Sequence, residues 1–188
     1  MTNFEFVFSL YALLLGLALA EVLSGFGKAL QSRRKIKIGW LTPLLGLFVA
    51  LDLTSFWTVA WTVRDTIPPS YISLLCGFVI TGMYYLIARI VFPHDLQEWP
   101  DHDVYYFAHR RLVLGGVLLC NLLAMAGQAA LGNPPFASPS DWFTIGAFFT
   151  PLAFAIWIRS KRANIAILVI LAFYYVVLAG LGVMQEPR

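Results

Sequence analysis

Charge is scarce in this chain. Asp, Glu, Lys and Arg make up 12% of its 188 residues, about half the roughly 25% usual in soluble domains. There are 2 cysteines and 3 histidines. Cys76 and Cys120 both sit inside apolar stretches and form no C-x-x-C pair, which excludes a disulfide scaffold and gives no metal-binding spacing. No H-E-x-x-H, G-x-S-x-G, P-loop or G-x-G-x-x-G pattern occurs. The sequence therefore names no catalytic residues, and no enzyme activity is expected from it. No histidine lies within an apolar run, which argues against a haem held by paired intramembrane histidines, and no cofactor is expected. The start, Met1-Thr2-Asn3-Phe4-Glu5, has no basic leader and no A-x-A site follows it, so no cleaved signal peptide is predicted.

Apolar side chains are what the chain has in excess. They form 60% of it, and the mean hydropathy is +0.76. One soluble core of this length could not hide so much apolar surface, so a soluble enzyme and a disordered chain are both excluded. The reading is an all-α polytopic membrane bundle: one transmembrane domain over 1–188, with the lipid bilayer as its surroundings. Windows of about 20 residues give six spans, at 4–26, 41–62, 71–92, 112–131, 142–158 and 165–184. Inside hydrocarbon the backbone must bond to itself, so these are helices. The runs are too long for the alternating strands of an outer-membrane barrel. The fifth span is the shortest and is interrupted by Pro151, although Trp142 and Trp157 suit the two interfaces.

Basic residues set the expected orientation. Lys28, Arg33, Arg34, Lys35 and Lys37 belong to the first connection, Arg89, Arg110 and Arg111 to the third, and Arg159, Lys161 and Arg162 to the fifth. The other side has only Arg64 and Arg188. The positive-inside rule then places the odd connections in the cytoplasm and both termini outside. The pI near 9.0 follows from this distribution. Nucleic acid is not an expected partner, because the charge is spread over three short connections.

Small residues recur every fourth position along the first helix, at Ala12, Gly16, Ala20 and Ser24. Such a stripe suits close helix packing, within the bundle or between subunits. The expectation is that it is covered by another helix. Gly116, Cys120 and Ala124 form a shorter stripe on the fourth helix. A repeat is also visible: Leu14, Gly16, Leu19, Leu23, Gly27 and Ala29 recur 100 residues on as Leu114, Gly116, Leu119, Leu123, Gly127 and Ala129. Three helices repeated twice would form a 3+3 inverted repeat, as in many transporters. Chance likeness between Leu/Gly/Ala-rich helices is the alternative.

Two carboxylates lie within the spans. Asp52 is 14 residues beyond Ile38, so roughly 21 Å from the cytoplasmic boundary. Glu21 is 7 residues before Lys28, so roughly 10 Å from it, within reach of the Lys28 ammonium. A charge at the membrane centre costs at least about 2.5 kcal/mol, so Asp52 should face protein or water. Ser55, Thr58, Thr81, Tyr84, Asn121, Thr150 and Tyr174 occur at similar depth. One reading gathers them into a polar cavity, open to the outside and centred on Asp52. The other is a protonated Asp52, bonded to Asn121 or a tyrosine, that fixes helix packing.

The connection over 93–111 holds all three histidines, His94, His102 and His109. Asp101 or Asp103 can cap a helix that runs into the fourth span. Trp99, Tyr105, Tyr106 and Phe107 suit the headgroup layer, with Arg110 and Arg111 reaching lipid phosphates. His94, Asp95, His102 and Asp103 lack zinc-like spacing, so no metal site is expected. The segment reads as a solvated, lipid-facing linker.

Two patterns resemble a diffuse group of small bacterial polytopic inner-membrane proteins with no assigned chemistry. They are Phe4-x-Phe6-x-x-Ser9 with Gly16-Leu17-x-x-Ala20-Glu21-x-Leu23, and Asp101-x-Asp103-x-Tyr105-Tyr106-Phe107-x-x-Arg110-Arg111. The resemblance implies a bacterial inner-membrane location and transfers no active site. Function then divides between two classes. The first is a non-catalytic membrane subunit or scaffold, as a homo-oligomer or with a membrane-protein partner. The alternative is a small oligomeric cation or proton channel or carrier with Asp52 in a hydrated cavity.

Overall fold

The computed structural model describes residues 3–32, 38–94, 99 and 101–180. Arg33, Arg34, Lys35, Lys37, Asp95, Arg188 and the expected end of the sixth span at 181–184 lie outside the described residues. Among the described residues there are six helices and no β-strand: α1 (Asn3–Ser32), α2 (Leu41–Thr62), α3 (Tyr71–Val91), α4 (His102–Ala130), α5 (Pro139–Trp157) and α6 (Lys161–Gly180). Five of them, all but α5, are long and apolar enough to cross a membrane. Ser140, Asp141, Thr144, Thr150 and Pro151 dilute the apolar character of α5, which nevertheless runs unbroken through Pro151.

Local chemistry starts and stops these helices. Ser70 accepts from the Ser73 amide at the head of α3. Ser138 and Asp141 form a reciprocal capping box on α5, with Pro139 in its first turn. Asp101 accepts from the Val104 amide at 2.8 Å and starts α4. Gly132, in the left-handed region at φ 78°, ends α4 where a side chain would be strained. Trp40 supplies no side-chain cap to α2. That role falls to Asp103 of α4, whose carboxylate accepts from the Leu41 amide at 3.1 Å.

The helices alternate in direction, and α2 occupies the middle, against α1, α3, α4 and α6. Its Leu45, Phe48, Val49 and Leu53 are buried, while Leu47, Thr54 and Trp61 leave one stripe outside. α5 lies at the edge against α4 and α6. The outward faces carry exposed Leu13, Leu17, Leu86, Ile170, Phe173 and Val176, an apolar coat that suits lipid and would be a liability in water. The two halves do not pack alike. α1 lies along α3, whereas the backbones of α4 and α6 do not meet, and α2 is central where its counterpart α5 is peripheral. The likeness between the halves at an offset of 100 residues is thus not matched by a repeated packing.

Two expectations are corrected. The Ala12–Gly16–Ala20–Ser24 stripe is not packed inside the bundle. Gly16, Ala20 and Ser24 are exposed, and a Cβ on Gly16 would meet nothing within 4 Å. α1 buries Val7, Leu15, Ala18, Val22, Gly25 and Ala29 instead, a helical repeat on the opposite side. The fourth-helix stripe does pack: Gly116 faces Ile87, and the Cys120 thiol points to the Ile80 carbonyl at 3.8 Å. The second correction concerns 93–111. From His102 onward this segment is the first turns of α4, and His102, Asp103, Tyr105, Tyr106 and Arg110 are buried. It is not a solvated linker: α2, α3 and α6 supply partners for Asp103, Tyr105 and Tyr106, while the His102 ring nitrogens and Arg110 Nε and Nη1 are buried without one. Arg111 is exposed and Trp99 half-buried, as interfacial residues are.

Candidate functional site

Asp52 sits midway along α2, on the side turned to α3, α4 and α6, and is 0% exposed. Tyr84 of α3 donates its hydroxyl to Oδ2 at 2.6 Å. Tyr175 of α6 donates to Oδ1 at 2.5 Å. Asn121 of α4 donates through Nδ2 to Oδ1 at 3.2 Å, to the Tyr84 hydroxyl at 3.0 Å and to the Val117 carbonyl at 3.1 Å. One carboxyl group thereby ties four helices together. Its partners are neutral, so desolvation is offset by oriented hydrogen bonds and not by a counter-ion. The surroundings are apolar and aromatic: Phe56 lies edge-on to Tyr84 at 4.7 Å, and Phe48 and Phe148 flank Tyr175 at 6.4 and 6.0 Å.

The structure therefore brings together three of the residues named from sequence, Asp52, Tyr84 and Asn121. Ser55 is adjacent, but its hydroxyl donates to the Asp52 backbone carbonyl at 2.7 Å and not to the carboxylate. Tyr174 turns away and donates to the Thr144 carbonyl at 3.3 Å. Thr81 is buried and donates to the Gly77 carbonyl at 2.7 Å. Thr58 is half-buried and Thr150 exposed, and neither joins the cluster. Tyr175 was missed. The signal for it was the buried face of α6, on which Leu168, Leu171, Ala172 and Tyr175 recur at helical spacing.

The cavity that stands out in the bundle is not centred on Asp52. A cavity of about 420 Å³ lies nearer the α2–α3 connection, lined by residues such as Phe8, Tyr11, Phe56, Ile80, Thr81 and Leu131. Its walls are mostly apolar, and Asp52 is not among them. Phe56, one of its walls, packs on Tyr84, which bonds Asp52. Tyr11 reaches across the cavity to donate to the Ser73 carbonyl, its ring lying over Gly77, where any side chain would collide with it.

Glu21 is half-buried and pairs with Arg89 of α3 at 3.6 Å, in place of the expected Lys28, because α3 and not the end of α1 covers that face. Arg89 also donates to the Tyr85 hydroxyl at 3.3 Å. A second polar layer closes the basic end of the bundle. Lys161 pairs with Asp103, Thr42 donates to the His102 carbonyl at 2.6 Å, and Tyr106 donates to Asn164 at 2.7 Å. Asn164 in turn holds the Ile158 and Ser160 carbonyls at 2.7 and 2.8 Å. Among the described residues no three His, Cys, Asp or Glu side chains converge as metal ligands. No known family profile, curated protein or solved structure matches the chain.

Proposed function

We propose that this chain is a non-catalytic subunit or scaffold of a bacterial inner membrane, with both termini outside, that associates with a second copy or another membrane protein. One observation carries the reading. The only carboxyl group deep in the bundle, among the described residues, has both oxygens bonded by protein donors and does not line the cavity. An acid so occupied serves cohesion between helices. The bacterial location rests on the resemblance in α1 and in the start of α4, and the orientation on the basic residues.

Association is assigned to the free face of α1. Gly16, Ala20 and Ser24 leave room for a second helix to approach closely. Gly16→Leu is expected to leave thermal stability of the isolated chain unchanged while reducing the particle mass measured in mild detergent by light scattering. A wild-type particle of monomer mass, copurifying with nothing, would remove this assignment. Orientation has its own test. In a background lacking Cys76 and Cys120, cysteines placed at Ser70 and Ser138 should react with an impermeant thiol reagent from outside, and one at Ser32 should not. The reverse pattern would invert the topology.

A second reading, a cation or proton channel or carrier, is favoured by the position of Phe56. It is at once a wall of the cavity and the ring packed on Tyr84. In that reading a swing of Phe56 joins the cavity to Asp52 and brings ions or protons to it.

A further inference from the structure

We propose that Arg110 anchors a binding site for a phosphate group at the basic end of the bundle, with Arg111 and Arg159 completing it. Arg110 lies in the third turn of α4 and is 3% exposed, yet its Nε and Nη1 have no hydrogen-bond partner. A guanidinium keeps its charge in a protein and has five N–H donors to place. Enclosing it without an acceptor is among the costlier arrangements a fold can hold, and an anion seated against it removes that cost.

The described neighbours do not provide one for Nε or Nη1. The Phe107 ring lies 4.8 Å from the guanidinium carbon, which favours the cation but leaves its in-plane donors free. Tyr106, one turn before, gives its hydroxyl proton to Asn164. Among the described residues, the carboxylates of this end are engaged elsewhere: Asp101 caps its own helix, and Asp103 holds Lys161 and the Leu41 amide. Arg111 and Arg159 act on Arg110 with charge of the same sign. Both are exposed, so these long side chains can draw aside to admit a ligand and then close on it. Arg111 rests on Trp157 at 5.5 Å.

Three guanidinium groups of like charge, with no carboxylate bonded to Arg110 among the described residues, are suited to the oxygens of one phosphate, which they meet as planar forks. Ordinary snorkelling does not account for Arg110, because a snorkelling arginine carries its head into water and here Nε and Nη1 are enclosed. The phosphate has two sources, an anionic lipid headgroup or the free ion. The exposed Trp157 and the helix-end position place the site at headgroup level.

The test uses the full chain in a non-ionic detergent, with thermal stability followed against added phosphatidylglycerol, diacylglycerol or inorganic phosphate. Phosphatidylglycerol should give a saturable rise and diacylglycerol none. A matching rise with inorganic phosphate would identify the free ion as sufficient; no rise with it would assign the site to lipid. Arg110→Gln, with unchanged circular dichroism and elution, should weaken phosphatidylglycerol binding about 10-fold or more. Arg110→Lys keeps charge without the fork and should fall between the two. Should Arg110→Gln fail to fold, Arg110→Lys decides: binding as tight as wild type would exclude the site. Unchanged affinity in Arg110→Gln, or a wild-type chain that responds to neither phosphate source, would overturn the proposal.

Discussion

Asp52→Leu is expected to destabilise the bundle by several kcal/mol, whereas Asp52→Asn is expected to be tolerated. Leucine is close in size but accepts nothing. Tyr84 and Tyr175 would then point buried donors at a methyl group, while Asn121 keeps the Tyr84 hydroxyl and the Val117 carbonyl. Each donor stranded in this way costs about 1–3 kcal/mol. Asparagine keeps one acceptor oxygen, and its amide can donate to a tyrosine hydroxyl that turns to receive it, so the loss per bond is nearer about 1 kcal/mol. Removing the donors as well should restore stability. Tyr84→Phe with Tyr175→Phe in the Asp52→Leu background should recover part of the loss, because an apolar set of matching shape is nearly neutral. Thermal unfolding in detergent measures all of these. Equal stability of the Leu and Asn variants would contradict the account.

Asp103→Ala should give the next largest loss. The carboxylate is buried at the junction of three helices, where it starts α2 by accepting from Leu41 and holds Lys161 of α6. Loss of a helix cap costs roughly 0.5–2 kcal/mol. The ion pair adds little, since Lys161 is exposed. Asp103→Asn keeps the acceptor for Leu41 and should retain most of the stability, with a weaker dependence on salt. Gly39 gives an independent check. The Asp103 carboxylate occupies the space where a Gly39 side chain would lie, so Gly39→Ala should displace it and reproduce the loss seen for Asp103→Ala. Stability in Gly39→Ala equal to wild type would show that the cap is dispensable.

The helices were legible because apolar length is a direct requirement of the bilayer. The core of the site was legible for the opposite reason: Asp52, Tyr84 and Asn121 are polar at depths where polarity is costly, so they had to meet something. Tyr174 and Tyr175 are adjacent and chemically identical, and only the buried face of α6 separates them. The α1 stripe did not reveal its partner, because small residues permit close packing without choosing what packs there; within the bundle α1 makes its contacts on the side of Val22 and Gly25. The segment before the fourth span was misread because aromatic and charged residues look the same in a headgroup layer and in the polar end of a bundle. Thr42, Lys161 and Asn164, far away in sequence, decide between the two.

The central claim is that Asp52 binds helices together and does not serve a permeating ion. It is tested most directly by flux into liposomes reconstituted with wild-type chain or with Asp52→Asn, under a gradient of sodium, potassium or protons and an applied potential. The account predicts that both proteins give the same flux as empty liposomes. Wild-type flux that Asp52→Asn abolishes, with the fold intact, would contradict it and favour the channel or carrier reading.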